Sequence, residues 1–357
     1  MKIKDLCSYA PKSRIKAGEA VENAKYLFFT SSADENKRYT DFQFDKEAII
    51  MGTGGNATLH YYNGKFSVST DCLVLFPNSK IKCKYLYYFF KSHMSVLEAG
   101  FKGAGLKHTN KKYIEEINVS KVPDLSTQEK IVSHLDTITE NIEKLNREVE
   151  LFDSLTKARF IEMFGRPFIN NMNWESRQIK NVVNEVKYGT SKPSVENGEY
   201  KYLRMNNLTY DGRFDLTDLK FISLDNDELE KCVVRKGDVL FNRTNSLDLI
   251  GKTADFDFDE DMVIAGYIIR IRLKETIVPK FFSMYMNTDE VKLHLRTIAK
   301  GAVNQANINA QELQGIPIYI PPIELQQQFA DFVKQVDKSR FDIKKSIIEL
   351  EREVVYD

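Results

Sequence analysis

The chain repeats itself, and a repeat restricts the possible folds more than any bulk property does, because each copy must be one structural unit. Lys2-Ile3-Lys4-Asp5-Leu6 is echoed by Gln178-Ile179-Lys180-Asn181-Val182, and Lys25-Tyr26-Leu27 by Lys201-Tyr202-Leu203, both at a displacement of 176. Further on, Lys102-Gly103-Ala104 returns as Lys300-Gly301-Ala302, and Thr127-Gln128-Glu129 falls opposite Leu325-Gln326-Gln327, now at a displacement of 198. The second copy therefore carries 22 extra residues in its middle.

Each copy is followed by a helical pattern. Ile131, Leu135, Ile138, Ile142, Leu145, Val149 and Phe152 alternate in steps of four and three, which predicts one apolar stripe on a long helix. Phe329, Val333, Val336, Arg340, Ile343, Ile347, Leu350 and Val354 repeat that spacing at a displacement of 198. Neither pattern is broken by proline or glycine before Gly165, so each helix should run about 45 to 55 Å. So narrow a seam is not buried by one helix alone, and the two helices should pack on each other, on a partner's helices, or both. Antiparallel packing would relate the two halves by a pseudo-twofold axis and hold two similar globular heads apart.

The heads are rich in β-branched and aromatic residues with turn punctuation, as in Phe66-Ser67-Val68-Ser69-Thr70 after Asn63-Gly64 and Val233-Val234 before Lys236-Gly237-Asp238. Residues 84–90 and 279–286 read as amphipathic helical segments at corresponding places. The expected fold is α+β (mixed α/β), with a first head at 1–125, a long helix at 126–164, a second head at 165–322 and a C-terminal helix at 323–357.

Two polar segments recur in the heads. Met51-Gly52-Thr53-Gly54-Gly55-Asn56 follows the apolar run Ala48-Ile49-Ile50, and Phe241-Asn242-Arg243-Thr244-Asn245-Ser246 follows Asp238-Val239-Leu240. Loops of this kind bring Arg, Asn and Thr to base edges or glycine amides to a phosphate, although a plain turn has the same composition. Residues 101–110, Phe-Lys-Gly-Ala-Gly-Leu-Lys-His-Thr-Asn, are matched by Ala299-Lys300-Gly301-Ala302-Val303-Asn304-Gln305-Ala306-Asn307. They combine a cation, a flexible glycine and hydrogen-bonding side chains; the simpler alternative is a solvated connector.

Bulk properties narrow the function. The 357 residues carry 51 Lys+Arg and 51 Asp+Glu, so net charge gives no support to a polyanion partner. By segment the balance is +6 for 1–125, −3 for 126–164, −1 for 165–322 and −2 for 323–357, which leaves local placement to carry any nucleic-acid argument. Cys7, Cys72, Cys83 and Cys232 form no C-x-x-C pair and read as small buried side chains. No stretch has the roughly 18 apolar residues of a membrane span, and the start lacks a signal-peptide core, so the cytoplasm is expected.

The Arg243-Thr244-Asn245-Ser246 segment followed by Leu249-Ile250-Gly251-Lys252, the Lys-Gly-Ala segments, and the Pro-Pro-Ile-Glu-Leu-Gln-Gln-Gln run at 321–328 entering a long helix together resemble Type I restriction-modification specificity subunits. Val122-Pro123-Asp124-Leu125-Ser126-Thr127-Gln128-Glu129-Lys130-Ile131-Val132 is a weaker form of the same helix entry. The resemblance extends over essentially the whole chain. It implies two target-recognition domains that each read half of a bipartite, asymmetric double-stranded DNA site, with the helices as a ruler for the spacer. It further implies docking of two adenine methyltransferase subunits, with motor-nuclease subunits joining the larger assembly. The candidate DNA contacts are Thr53, Asn56, Lys102, Lys107, His108 and Asn110 in the first head, and Arg204, Arg243, Thr244, Asn245, Lys300, Asn304 and Gln305 in the second. Gly54-Gly55-Asn56 has no charged equivalent of Arg243, so the two heads should read different sequences.

A self-contained DNA-modifying enzyme is the main rival, and its signatures are missing. The one Pro-Pro pair, at 321 and 322, lies between Ile320 and Ile323, unlike an Asn-Pro-Pro-aromatic or Asp-Pro-Pro-aromatic base-gripping tetrapeptide. There is no glycine-rich methyl-donor turn and no G-x-x-x-x-G-K-[ST] motor loop. Pro123-Asp124 with Glu129-Lys130 lacks the usual nuclease spacer. The acidic run 255–261 lacks the glycine and terminal glutamate of a calcium loop, and the five histidines show no ligand spacing, so neither metal nor cofactor is expected. A protein-binding coiled-coil scaffold stays open; steep salt dependence of binding would separate a DNA reader from it.

Overall fold

Both copies of the repeat begin alike. Ile3–Asp5 and Ile179–Asn181 are single turns of 3-10 helix whose isoleucines are buried, and in each the third side chain accepts from the backbone N–H ahead of the turn. The computed structural model describes residues 1–302 and 304–356; Val303 of the repeated lysine-glycine segment and the terminal Asp357 lie outside the described residues. The chain divides into two compact units, Met1–Glu148 with the chain from Asp342 onward, and Val149–Phe341.

The first unit contains β1 (Cys7–Tyr9), β2 (Tyr26–Phe29), β3 (Arg38–Tyr39), β4 (Phe44–Gly52), β5 (Leu59–Val68) and β6 (Cys72–Pro77) in one sheet of order β1-β6-β4-β5-β2-β3. The β2–β5 pair is parallel and the other pairs are antiparallel. Ala48-Ile49-Ile50-Met51 is buried throughout because successive side chains enter opposite cores. Ile49 and Met51 pack with Leu75, Leu86, Phe90 and Ile114, and Ala48 and Ile50 with Phe29, Phe66 and Val74. The helices α1 (Cys83–Ser92), α2 (Met94–Glu98) and α3 (Lys111–Glu116) contribute to the first of these cores. Asn63-Gly64, expected as a turn, lies inside β5: β4 is long enough to pair straight through it, with Lys46 opposite Gly64.

The helix α4 (Leu125–Phe164) starts in this unit, capped by Asp124, whose carboxylate accepts from the Thr127 backbone N–H at 2.9 Å and hydroxyl at 2.8 Å. Its seam residues Leu135 and Ile138 pack with Tyr88 and Val354.

The second unit contains β7 (Glu175–Gln178), β8 (Val183–Tyr188), β9 (Tyr200–Leu203), β10 (Lys220–Ile222), α5 (Asn226–Cys232), β11 (Val233–Val234), β12 (Val239–Asn242), β13 (Thr244–Asn245), β14 (Thr253–Asp255), β15 (Met262–Ile264) and β16 (Ile268–Leu273). It continues through α6 (Pro279–Met286), α7 (Asp289–Ile298), β17 (Lys300–Ala302), β18 (Gln305–Asn307), α8 (Ala310–Gly315), β19 (Pro317–Ile320) and α9 (Ile323–Tyr356), which passes into the first unit after Phe341. The sheets have the orders β14-β12-β16-β8, β10-β9-β15-β11, β13-β18-β17 and β19-β7.

This is the first sheet broken into pieces. The order β8-β16-β12 parallels β1-β6-β4, and β9 runs parallel to β15 as β2 does to β5. Where β4 and β5 are continuous, the second copy turns at Lys236-Gly237 and loops through the acidic run. That loop is neutralised locally: Lys236 meets Asp257 and Asp259 at 3.3 and 2.8 Å, and Arg235 meets Asp261 at 3.3 Å. Most of the added length falls between β9 and β11, where α5 is built. The broken sheet buries charge, since Arg270 is fully buried and bonded to Glu185 at 2.5 Å and to the Val233 carbonyl. Removing Glu185, itself partly exposed, would leave the buried Arg270 charge without its carboxylate and cost up to about 3 to 5 kcal/mol.

Within this unit Phe160 of α4 packs edge-on against Phe329 of α9, and Asp153 bonds Arg340 at 2.5 Å. Later residues of one helix thus meet earlier residues of the other, which makes the pair antiparallel. Arg340, the one charged residue of the expected seam, is buried and neutralised by Asp153. At 40 and 34 residues the helices reach about 60 and 50 Å, the first longer than expected.

The entry to each helix is fastened by one buried glutamine. Gln128 accepts from the Lys82 N–H at 2.7 Å and donates to the Lys80 and Pro123 carbonyls. Gln326 accepts from the Val278 N–H at 2.9 Å and donates to the Thr276 and Pro321 carbonyls. All four cysteines are free and buried, as expected, and burial raises the thiols of Cys72 and Cys232 to about 11.

Candidate nucleic-acid interface

The two recurring polar segments meet in both units. In the first, residues 102–108 form a small hairpin in which Lys102 and His108 exchange backbone hydrogen bonds at 2.9 and 3.0 Å. The Thr53-Gly54-Gly55 stretch lies along its other edge, with Gly55 N–H donating to Lys107 O and Thr109 N–H to Thr53 O. In the second, β17 and β18 form the hairpin, and β13 is the added strand, with Thr244 opposite Asn307 and Asn245 opposite Ala306. The recurring glycine has a backbone reason. Gly103 and Gly301 adopt φ +144° and +112°, and a Cβ would come within 2.9 Å of Leu106 O and 2.5 Å of Gln305 O. These segments are strand pairs, which neither the turn nor the solvated-connector reading anticipated.

The hairpins sort the candidate contacts. Asn56, Lys102, Lys107 and His108 are exposed, and neither lysine has a carboxylate partner among the described residues. Asn304 and Gln305 are exposed at the second hairpin, beside Lys300, whose ammonium meets Glu312 at 2.5 Å. Five others serve the fold. Thr53 donates its hydroxyl to Asp71 O at 3.0 Å, and Asn110 caps α3 by accepting from Tyr113 N–H at 3.0 Å. Thr244 is buried and donates to Asn307 Oδ1, while Asn245 donates to Asn242 Oδ1 and accepts from Ser246 N–H, each at 2.9 Å. Arg204 is bound to both the carbonyl and the carboxylate of Asp218 at 2.7 Å, and with Lys220 holds that carboxyl below its usual range.

Arg243 differs from Arg204. Its backbone is pinned on both sides, N–H to Tyr267 O and carbonyl from Ile308 N–H, each at 2.9 Å. Its half-buried guanidinium lies 4.8 Å from the centre of the Tyr188 ring, with no carboxylate partner among the described residues.

Two supporting residues were not singled out by sequence reasoning. Asn242, fully buried, donates to the carbonyls of Thr244 and Tyr267 and fixes the bend from β12 into β13. Asn307 receives the Thr244 hydroxyl. Both sit within quoted segments, but nothing local distinguishes a structural asparagine from a contacting one.

Chemically the arrangement offers ammonium groups for phosphates, with amide and guanidinium edges for bases. Among the described residues no group of three or more His, Cys, Asp or Glu could hold a metal ion, and no helix is long and apolar enough to cross a membrane.

A mixed α/β chain with a long helix after each copy of a repeated head has the architecture of Type I specificity subunits. The chain belongs to that family: residues 1–151 and 171–352 match the Type I restriction modification DNA specificity domain. Among its relatives, the putative MjaX specificity subunit of Methanocaldococcus jannaschii is 27% identical over 49% of this chain and 42% of that one. The EcoKI specificity subunit of Escherichia coli is 20% identical over 95% of this chain and 73% of that one. The chain thus spans less than half of the first relative's length and about three quarters of the second's. The crystal structure of the Type I restriction-modification S subunit from M. genitalium shares the fold, with a TM-score of 0.61, 16% identity, and 99% and 93% of the two chains covered. These relatives are specificity subunits, the non-catalytic class expected from the missing enzyme motifs.

Proposed function

We propose that the chain selects the DNA target of a Type I restriction-modification enzyme, reading a bipartite, asymmetric double-stranded site with one half per head. The observation that carries this reading is one hairpin-and-strand device built twice with different exposed side chains. Lys102, Lys107, His108 and Asn56 furnish the first, and Asn304, Gln305 and Lys300, joined by the half-buried Arg243, the second. Different side chains on one scaffold are what two different half-sites require. On this reading the heads, 1–125 and 165–322, carry recognition, and the long helices, 126–164 and 323–357, form a separate layer. The paired helices set the spacer and dock two methyltransferase subunits, to which motor-nuclease subunits add. The chain needs no cofactor of its own and works in the cytoplasm, where the DNA is.

Mapping methylated adenines across the genome, with the chain present and deleted, tests this. Loss of methylation at one asymmetric two-part sequence is expected. An unchanged map, or methylation by the purified chain with only a methyl donor added, overturns it.

A further inference from the structure

We infer that Tyr188 is the positioning residue that aims Arg243, and so decides how sharply the second head discriminates bases; this rests on the DNA-reading function proposed above. Tyr188 ends β8, 55 residues before Arg243 and outside both recurring segments. Its backbone is held in the sheet opposite Ile269, and its hydroxyl accepts from the N–H of Ala310, the first residue of α8, at 2.9 Å. The ring is therefore fixed at both ends. The Arg243 guanidinium lies over it at 4.8 Å, within cation–π range.

The rest of the arginine is equally restricted. Its backbone is pinned to Tyr267 and Ile308, and its Nε is buried without a hydrogen-bond partner. The terminal amino groups remain as donors, the set that engages the O6 and N7 of guanine in a bidentate contact. A long arginine normally loses much rotamer freedom on binding; stacked in advance on a fixed ring, it loses less, and only a base edge in line with it is rewarded. Among the described residues of the first unit there is no such arrangement: the Tyr9 ring carries Lys111 at 4.5 Å, a residue at the start of α3.

The test uses the full chain and duplexes carrying its mapped site, with every single-base change in each half. Tyr188→Leu keeps an apolar side chain but removes the π face and the bond to Ala310; Tyr188→Phe keeps the face and loses only that bond. Tyr188→Leu should reduce discrimination in the second half-site by roughly three- to thirtyfold. Discrimination in the first half-site and the salt dependence of binding should stay at wild-type values, and Tyr188→Phe should retain most of the discrimination. Arg243→Ala should abolish the preference at its base, and adding Tyr188→Leu to it should cost nothing more. Full discrimination in Tyr188→Leu, or an equal loss across both half-sites and all sequences, overturns the positioning role. If Arg243→Ala itself leaves every preference intact, the assignment of Arg243 as a reader fails instead.

Discussion

At the scale of single residues, sequence shows which side chains could contact DNA but not which are already engaged. Arg204 and Arg243 are both candidates by sequence; one is closed off by Asp218, and the other is stacked on a ring with no carboxylate partner among the described residues. Burial also creates groups whose charge is costly. Lys292 is buried, donates to Gly251 O at 2.7 Å, and lies near Lys252 and Arg296. Desolvation, reinforced by those cations, lowers its ammonium to about 7. Below that pH both folded and unfolded chains hold the proton, and the folded chain bears the whole penalty. Above it the folded state releases a proton that the unfolded state keeps to about 10.5, so stability rises with pH. Between pH 7 and 9 the unfolding free energy should climb by up to about 1.4 kcal/mol per pH unit relative to Lys292→Met. Above pH 9 the raised thiol of Cys232 acts in the opposite sense. Parallel pH profiles for the two proteins in urea unfolding would refute the burial of a charge there.

At the scale of elements, the long helices were legible because their seams are periodic, and periodicity is a local property. How they join the heads was not. Gln128 and Gln326 stood out only as members of a repeat, yet each bonds the loop ahead of an α helix and the entry of its own long helix. Gln326→Leu strands one N–H and two carbonyls and should destabilise by about 3 kcal/mol, read as a lower urea midpoint at unchanged slope. Gln128→Leu should behave alike. The exposed neighbour Gln327→Leu should stay within about 0.5 kcal/mol of wild type. Equal effects at 326 and 327 would mean that the buried amide contributes nothing.

At the scale of the whole molecule, zero net charge hides the local cations on which DNA binding would depend. Lys102 and Lys107 are exposed on one hairpin with no carboxylate partner among the described residues. If both meet phosphates, replacing them with alanine reduces the slope of log affinity against log salt by about 2, while base preferences persist. Titration of the full chain over a range of salt measures this, and an unaltered slope removes the lysines from the interface.

The sequence by itself determined the two copies and the helices with their seams. Each follows from spacing along the chain. Only the tertiary structure decided that Asn110 is a cap, that Thr244 and Asn245 are bonded within the fold, and that Tyr188 lies under Arg243. A side chain's hydrogen-bond partner is chosen by what folding brings beside it, often from far along the chain, and neither composition nor period records that choice.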